Sequence, residues 1–241
     1  MRRALNASLG FVLLLAACFG AQQAFDFTFL TVEPRTLQGL AGVLAAPLLH
    51  GSVEHIVANS IALLMLGTLA GTAYPKATVR ALPLLWLGSG LGAWLLGEPG
   101  SHHLGASGLS HGLMFLVFVL GLLGRDRAAI AAGMLAFLFY GGMLMTILPQ
   151  EAGMSWESHL GGALGGVVAA FLFRRSDPQP ARKKYSWELE EEAEAAQARE
   201  RAEAGFETFE TRAPADVPVL WLRDDAAQPR GRVLPFRRPG E

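Results

Sequence analysis

Apolar runs recur through residues 1–173, separated by connections that are by turns basic and nearly free of Lys and Arg, a pattern that a bilayer dictates and a water-exposed core does not. A helix needs about 20 mostly apolar residues to cross the hydrocarbon core. Residues 5–24, 53–73, 81–96, 107–123, 128–148 and 156–173 approach that length. The third and fourth runs are short, which predicts tilt, local thinning or a helix that starts below the surface. Arg2 and Arg3 precede the first run. Lys76 and Arg80 lie between the second and third, and Arg125 and Arg127 between the fourth and fifth. Arg174, Arg175, Arg182, Lys183 and Lys184 follow the sixth, whereas the three intervening connections carry only Arg35. Basic residues that alternate in this way predict six spans with both termini in the cytoplasm. The expected fold is therefore all-α: a polytopic bundle over residues 1–174 and a charged, soluble tail over 175–241.

Composition narrows the function. The formal net charge of −1 gives no reason to expect nucleic acid, and the lone Cys18 excludes an intramolecular disulfide. Arg2-Arg3, an apolar run and Leu15-Ala16-Ala17-Cys18 also fit a lipoprotein leader cut at the cysteine. The apolar run continues past Cys18, which favours a retained span with a small buried thiol. The connection over residues 25–49 has leucines at helical spacing broken by Gly39, Gly42 and Pro47, so short helical pieces in the interface are expected. Residues 187–204 read as a solvated helix, and 213–241, with five prolines, as disordered. The basic residues at the start of the tail suit anionic lipid.

Polar side chains at membrane depth are costly and each one needs a reason. His55 and Asn59 lie at the outer end of the second run, Ser107 opens the fourth, and His159 sits just inside the sixth. At 1.5 Å per residue, the predicted topology puts all four within about two turns of the outer surface. His55 and Asn59, four apart, share one helix face. Ser107 lies in Gly105-Ala106-Ser107-Gly108, where the glycines leave its hydroxyl unshielded. Free N–H groups at a helix start can stabilise an oxyanion, and His159 can take the hydroxyl proton. No carboxylate is placed at this depth, so a Ser-His dyad is the natural reading. Gly108 with Gly112, Gly161 with Gly165, and Gly162 with Gly166 predict close packing of the fourth run on the sixth. The structural alternatives are a helix-capping serine and polar residues that glue helices together. His102 and His103 read as solvated loop residues. No metal or cofactor is expected: the His-Glu-x-x-His pattern of helical zinc proteases is absent.

Taken together, His50-Gly51-Ser52-Val53-Glu54-His55 with Asn59, Gly105-Ala106-Ser107-Gly108, and Ser158-His159-Leu160-Gly161-Gly162 resemble the rhomboid family of intramembrane serine proteases. The resemblance runs from the first outer connection to Phe173. It implies a six-helix core, Ser107 as nucleophile, His159 as base, and an oxyanion hole from His55, Asn59 and the Ser107 N–H. His50 matches the family's first histidine, with a supporting role. It also implies transmembrane proteins as substrates, met within the lipid bilayer of a bacterial inner membrane, and leaves the oligomeric state open. Two positions depart from the family pattern. The first outer connection lacks the usual Trp-Arg pair, although Pro34-Arg35 stands nearby. His111 occupies the place of a tyrosine that packs on the base, so it is expected to stack on or hydrogen-bond to His159. A histidine there is similar to the rhombosortase branch, which processes Gly-Gly C-terminal sorting signals. A non-catalytic scaffold that binds spans, and more weakly a transporter, stay open on the residues alone.

Overall fold

A computed structural model describes residues 1–124, 130–131, 134, 145–149, 153–177 and 185–209. The expected fifth span, 128–148, falls mostly outside these residues, as does the stretch 213–241. Among the described residues the chain is all-helical, with one isolated bridge between Val32 and His103. The chain divides into two units, Met1–Pro180 and Ala181–Glu241. The first carries α1 (Arg2–Gln22), α2 (Leu37–Ala45), α3 (Val53–Ala73), α4 (Pro75–Leu96), α5 (Ser107–Gly124) and α6 (Trp156–Phe173). The second carries α7 (Ser186–Phe209). Among the described residues four helices, α1, α3, α4 and α5, are long and apolar enough to cross a membrane. The polar first turn of α6, with Glu157, Ser158 and His159, dilutes an otherwise apolar 18-residue helix.

Helix starts are set by local chemistry. Ser52 caps α3, its Oγ accepting the His55 N–H at 3.1 Å. Thr36 caps α2 by accepting the Gly39 N–H at 3.0 Å. At α4, Pro75 fills the first turn. The Asp177 carboxylate, about a hundred residues on, accepts the N–H groups of Lys76 and Ala77 at 3.0 and 2.9 Å. That cap lets α4 begin six residues before the expected position 81. The charged Lys76 and Arg80 hid this turn from an apolar count, and the third span is 22 residues, not short. The helix also runs through Pro83. α1 continues unbroken past Cys18, whose free thiol is half-buried, not buried as expected, because α1 lies on the outside of the bundle.

α6 packs between α4 and α5 along two glycine ridges. A Cβ on Gly162 or Gly166 would collide with the carbonyls of Gly108 and Gly112 on α5. A Cβ on Gly161 would collide with the carbonyl of Gly88 on α4, and one on Gly165 would lie 2.7 Å from that of Leu84. The expected contact of the fourth span with the sixth is present. The second ridge, which seats α6 on α4 as well, adds to it. Leu85, Leu109, Leu113, Met114, Leu116 and Val117 fill the core between these helices. α1 lies outside against α3, where Ser8 and Ala4 meet Gly67 and Gly71. The connection after α1 forms α2 and two 3-10 turns, Thr28–Leu30 and Ala46–Leu48. Two indoles of α4 hold α2 in place: Trp94 Nε1 donates to the Thr36 carbonyl at 2.8 Å and Trp86 Nε1 to that of Leu44 at 3.1 Å. Arg35, at φ +60°, donates its guanidinium to the Gly97 carbonyl at 2.8 Å. This anchors the connection that lacks the Trp-Arg pair.

Candidate active site

The first turns of α3, α5 and α6 meet at one end of the bundle. Gly105, at φ +113°, turns the chain into α5 so that Ser107 stands at the helix start. His159, one turn into α6, lies with Nε2 2.7 Å from Ser107 Oγ. Its Nδ1 is 3.0 Å from the Thr146 carbonyl. A carbonyl can only accept, so Nδ1 carries the hydrogen and Nε2 presents a lone pair to the serine hydroxyl. His111 stacks on His159, ring centroids 4.0 Å apart and planes 13° from parallel. By the same logic His111 Nδ1 donates to the Ser107 carbonyl at 2.7 Å, and its Nε2 accepts from the Thr146 hydroxyl at 3.0 Å. Thr146 thus touches both imidazoles.

His55 and Asn59 converge on the same place from α3. A Cβ on Gly105 would sit 2.6 Å from His55 Nε2 and 3.7 Å from Asn59 Nδ2. Both side chains therefore end beside the turn that precedes the serine. Asn59 spends one amide hydrogen on the His55 carbonyl, at 3.1 Å, and keeps another. Ser107, His55, Asn59, His111 and His159 line one open cavity of about 1200 Å³. His50 lies behind it, its ring edge-on to His55 at 5.1 Å. Its backbone exchanges two hydrogen bonds with the Gln22 amide, at 3.0 and 3.2 Å, which ties this connection to α1. Burial, followed by the neighbouring His55, lowers the His50 pKa to about 4, although the Leu48 carbonyl pulls the other way. Gly108, tight against Ser89 and the Ser158 carbonyl, lets α5 approach α6 at the level of the serine.

The Rhomboid domain model matches residues 38–176, more than half of the chain, and covers every residue of this site. The chain belongs to the rhomboid family. It is thus an integral membrane protein of a family of intramembrane proteases. Uncharacterized proteins of Mycobacterium tuberculosis and Mycobacterium bovis are 43% identical to it over 149 residues, 58% of this chain and 62% of theirs. An uncharacterized protein of Mycobacterium leprae is 39% identical over 141 residues, 55% of this chain and 56% of its own. The rhomboid chain described here thus spans about six-tenths of the length of the curated relatives it matches.

Three features of this rhomboid site differ from the sequence reading. His103 is not solvated. It is 9% exposed, exchanges backbone hydrogen bonds with Val32, and places Nδ1 2.7 Å from Ser155 Oγ. Burial lowers its pKa, with the Glu157 carboxylate 3.8 Å away opposing that shift. His102 is exposed, as expected, with Nδ1 2.8 Å from Thr31 Oγ1. A carboxylate does occur at this depth: Glu157 is 6% exposed and lines the cavity. Two residues before His159 on a helix, it points to another side and meets His103 and Ser155. Thr146 was missed because it belongs to none of the three motifs. Its signal was a hydroxyl near the C-terminal end of an apolar run, beside which Tyr140 is the only other polar side chain.

Proposed function

We propose that this rhomboid protein is a serine endopeptidase that cuts transmembrane proteins by acyl transfer, with Ser107 as nucleophile and His159 as general base. The observation that carries the reading is the 2.7 Å approach of His159 Nε2 to Ser107 Oγ, in the tautomer that accepts a proton. As the hydroxyl oxygen attacks the scissile carbonyl, its hydrogen passes to Nε2. The resulting imidazolium keeps its Nδ1–H on the Thr146 carbonyl. Negative charge grows on the substrate oxygen, where the free amide hydrogen of Asn59, His55 and the N–H groups at the start of α5 can meet it. The imidazolium then protonates the leaving amine, and water entering by the cavity hydrolyses the acyl-enzyme. A peptide bond inside an intact helix is shielded, so substrates with small or helix-weakening residues at the cut are expected.

The topology proposed with this reading has six spans, both termini in the cytoplasm and the site near the outer surface. The alternation of basic connections supports it. His111, stacked on the base, favours a second reading of the client: the Gly-Gly C-terminal sorting signals of the rhombosortase branch, cut by the same chemistry. The test is cleavage of a model single-span protein, with fluorophosphonate labelling alongside. Ser107→Ala and His159→Ala should each lower cleavage by ~10³-fold or more, and Ser107→Ala should abolish labelling. Mutants that cut as well as wild type would remove the dyad. A Gly-Gly-tailed client cut in preference to the model protein would decide for the second reading.

A further inference from the structure

His103 stands four residues before Ser107, and Ser155 stands four residues before His159. One hydrogen bond of 2.7 Å joins His103 Nδ1 to Ser155 Oγ. Each partner is fixed independently. His103 exchanges two backbone bonds with Val32, both 2.9 Å, and its Nε2 lies 2.8 Å from Ser101 Oγ. Ser155 caps α6, its Oγ accepting the Ser158 N–H at 3.4 Å, and it lies 3.0 Å from Ser158 Oγ and 3.3 Å from Glu157 Oε2. The hydrogens can be assigned. Ser101 gives its only hydroxyl hydrogen to the Glu98 carbonyl at 2.6 Å, so His103 Nε2 must be the donor to Ser101. In a neutral ring Nδ1 is then the acceptor, and the Ser155 hydroxyl donates to it. The shortest of the contacts around Ser155 Oγ is thus the one that ties the nucleophile's approach segment to the base's helix.

We propose that His103, acting through Ser155, is a positioning residue that sets the distance between Ser107 and His159. This rests on the protease reading of the dyad. The ridges of α6 fix its distance from α4 and α5 through backbone contacts. The His103–Ser155 bond adds a directional tie ahead of those ridges, at the first turn of α6, and so helps to set the helix's position along its axis. A shift of about 1 Å at a reacting pair can cost on the order of a hundredfold in rate, so one latch of this kind is enough to matter.

The test uses the full-length chain in lipid vesicles, with a fluorophosphonate probe and a cleavable single-span protein. His103→Ala should lower kcat at least ~10-fold, with KM within about 2-fold of wild type and a matching fall in labelling rate. His103→Asn, which keeps a polar atom near the place of Nδ1, should recover most of the loss. His103→Gln, which reaches toward the place of Nε2, should not. Ser155→Ala should add little on top of His103→Ala, because both remove one bond. Wild-type kcat in His103→Ala, or Asn and Gln variants that behave alike, would overturn the latch. So would activity loss explained by a lower folded fraction, read from thermal unfolding of the same samples. If wild type itself escapes the probe while folded, the protease reading fails and the latch falls with it. A labelled wild type beside an unaffected His103→Ala fails the latch alone.

Discussion

At the scale of single residues, the site depends on an atom that is absent. Gly105 leaves open the space in which His55 and Asn59 end, and it holds a φ of +113° that an L side chain resists. Gly105→Ala should therefore lower cleavage at least ~10-fold by pushing His55 aside, while leaving helix content by circular dichroism unchanged. His50 makes a pH prediction. Its folded pKa of about 4 lies below the ordinary 6.5, so the unfolded chain binds a proton that the folded chain refuses. Stability from this group is complete above 6.5, falls as pH drops through the window toward 4, and levels off below it. Thermal midpoints in detergent should drop across that window, and His50→Asn should drop less; equal slopes would refute the assignment. Ser107, His159, His55 and Asn59 were legible in the sequence, because a polar group in an apolar run announces itself, and His111 was legible only through the family resemblance. His103 was not, because a histidine in a polar connection gives no such contrast. Its burial comes from a backbone pairing with Val32, about seventy positions away.

Helix-scale features divide along the same line. α3 and α6 have their expected bounds because capping serines, Ser52 and Ser155, stand where the apolar runs begin. α4 was misjudged because its first turn is polar and its cap comes from Asp177, far along the chain. The Gly162–Gly166 ridge was readable as small-xxx-small spacing, yet spacing alone does not say which neighbour it meets. Both ridges are used, one on each flank of α6. Gly162→Val should therefore act on the dyad without touching it. Its side chain has to displace the Gly108 carbonyl, one residue after Ser107. Fluorophosphonate labelling should fall at least ~10-fold, and the thermal midpoint should fall with it, since overpacking typically costs about 1–3 kcal/mol. Gly10→Val on α1, where a Cβ meets nothing within 4 Å, is the matched control and should leave both unchanged.

Across the whole molecule, the question is how much chain the membrane body needs. The family match ends at residue 176, and one residue later Asp177, just past the end of α6 and 9% exposed, caps α4. Beside it, Arg80 donates to Ser176 Oγ at 2.8 Å. These bonds join the end of α6 to the start of α4, at the opposite ends of those helices from the dyad. Without the carboxylate, two N–H groups in the first turn of α4 lose their partner, a loss of about 0.5–2 kcal/mol on the scale of helix caps. The second unit gives no comparable reason to be needed for cleavage. α7 is built mainly from Glu, Ala and Arg, and the side chains described along it are largely exposed. A chain ending at residue 180 should therefore cut a model single-span protein at the full-length rate, with an unchanged thermal midpoint. A chain ending at 176 should melt lower, and Asp177→Ala in the full-length protein should reproduce most of that decrease. If the chain ending at 180 were the one to lose activity, the second unit would have a part in proteolysis that its composition does not suggest. If Asp177→Ala melted like wild type, the hydrogen bonds to Lys76 and Ala77 would not be what holds the start of α4.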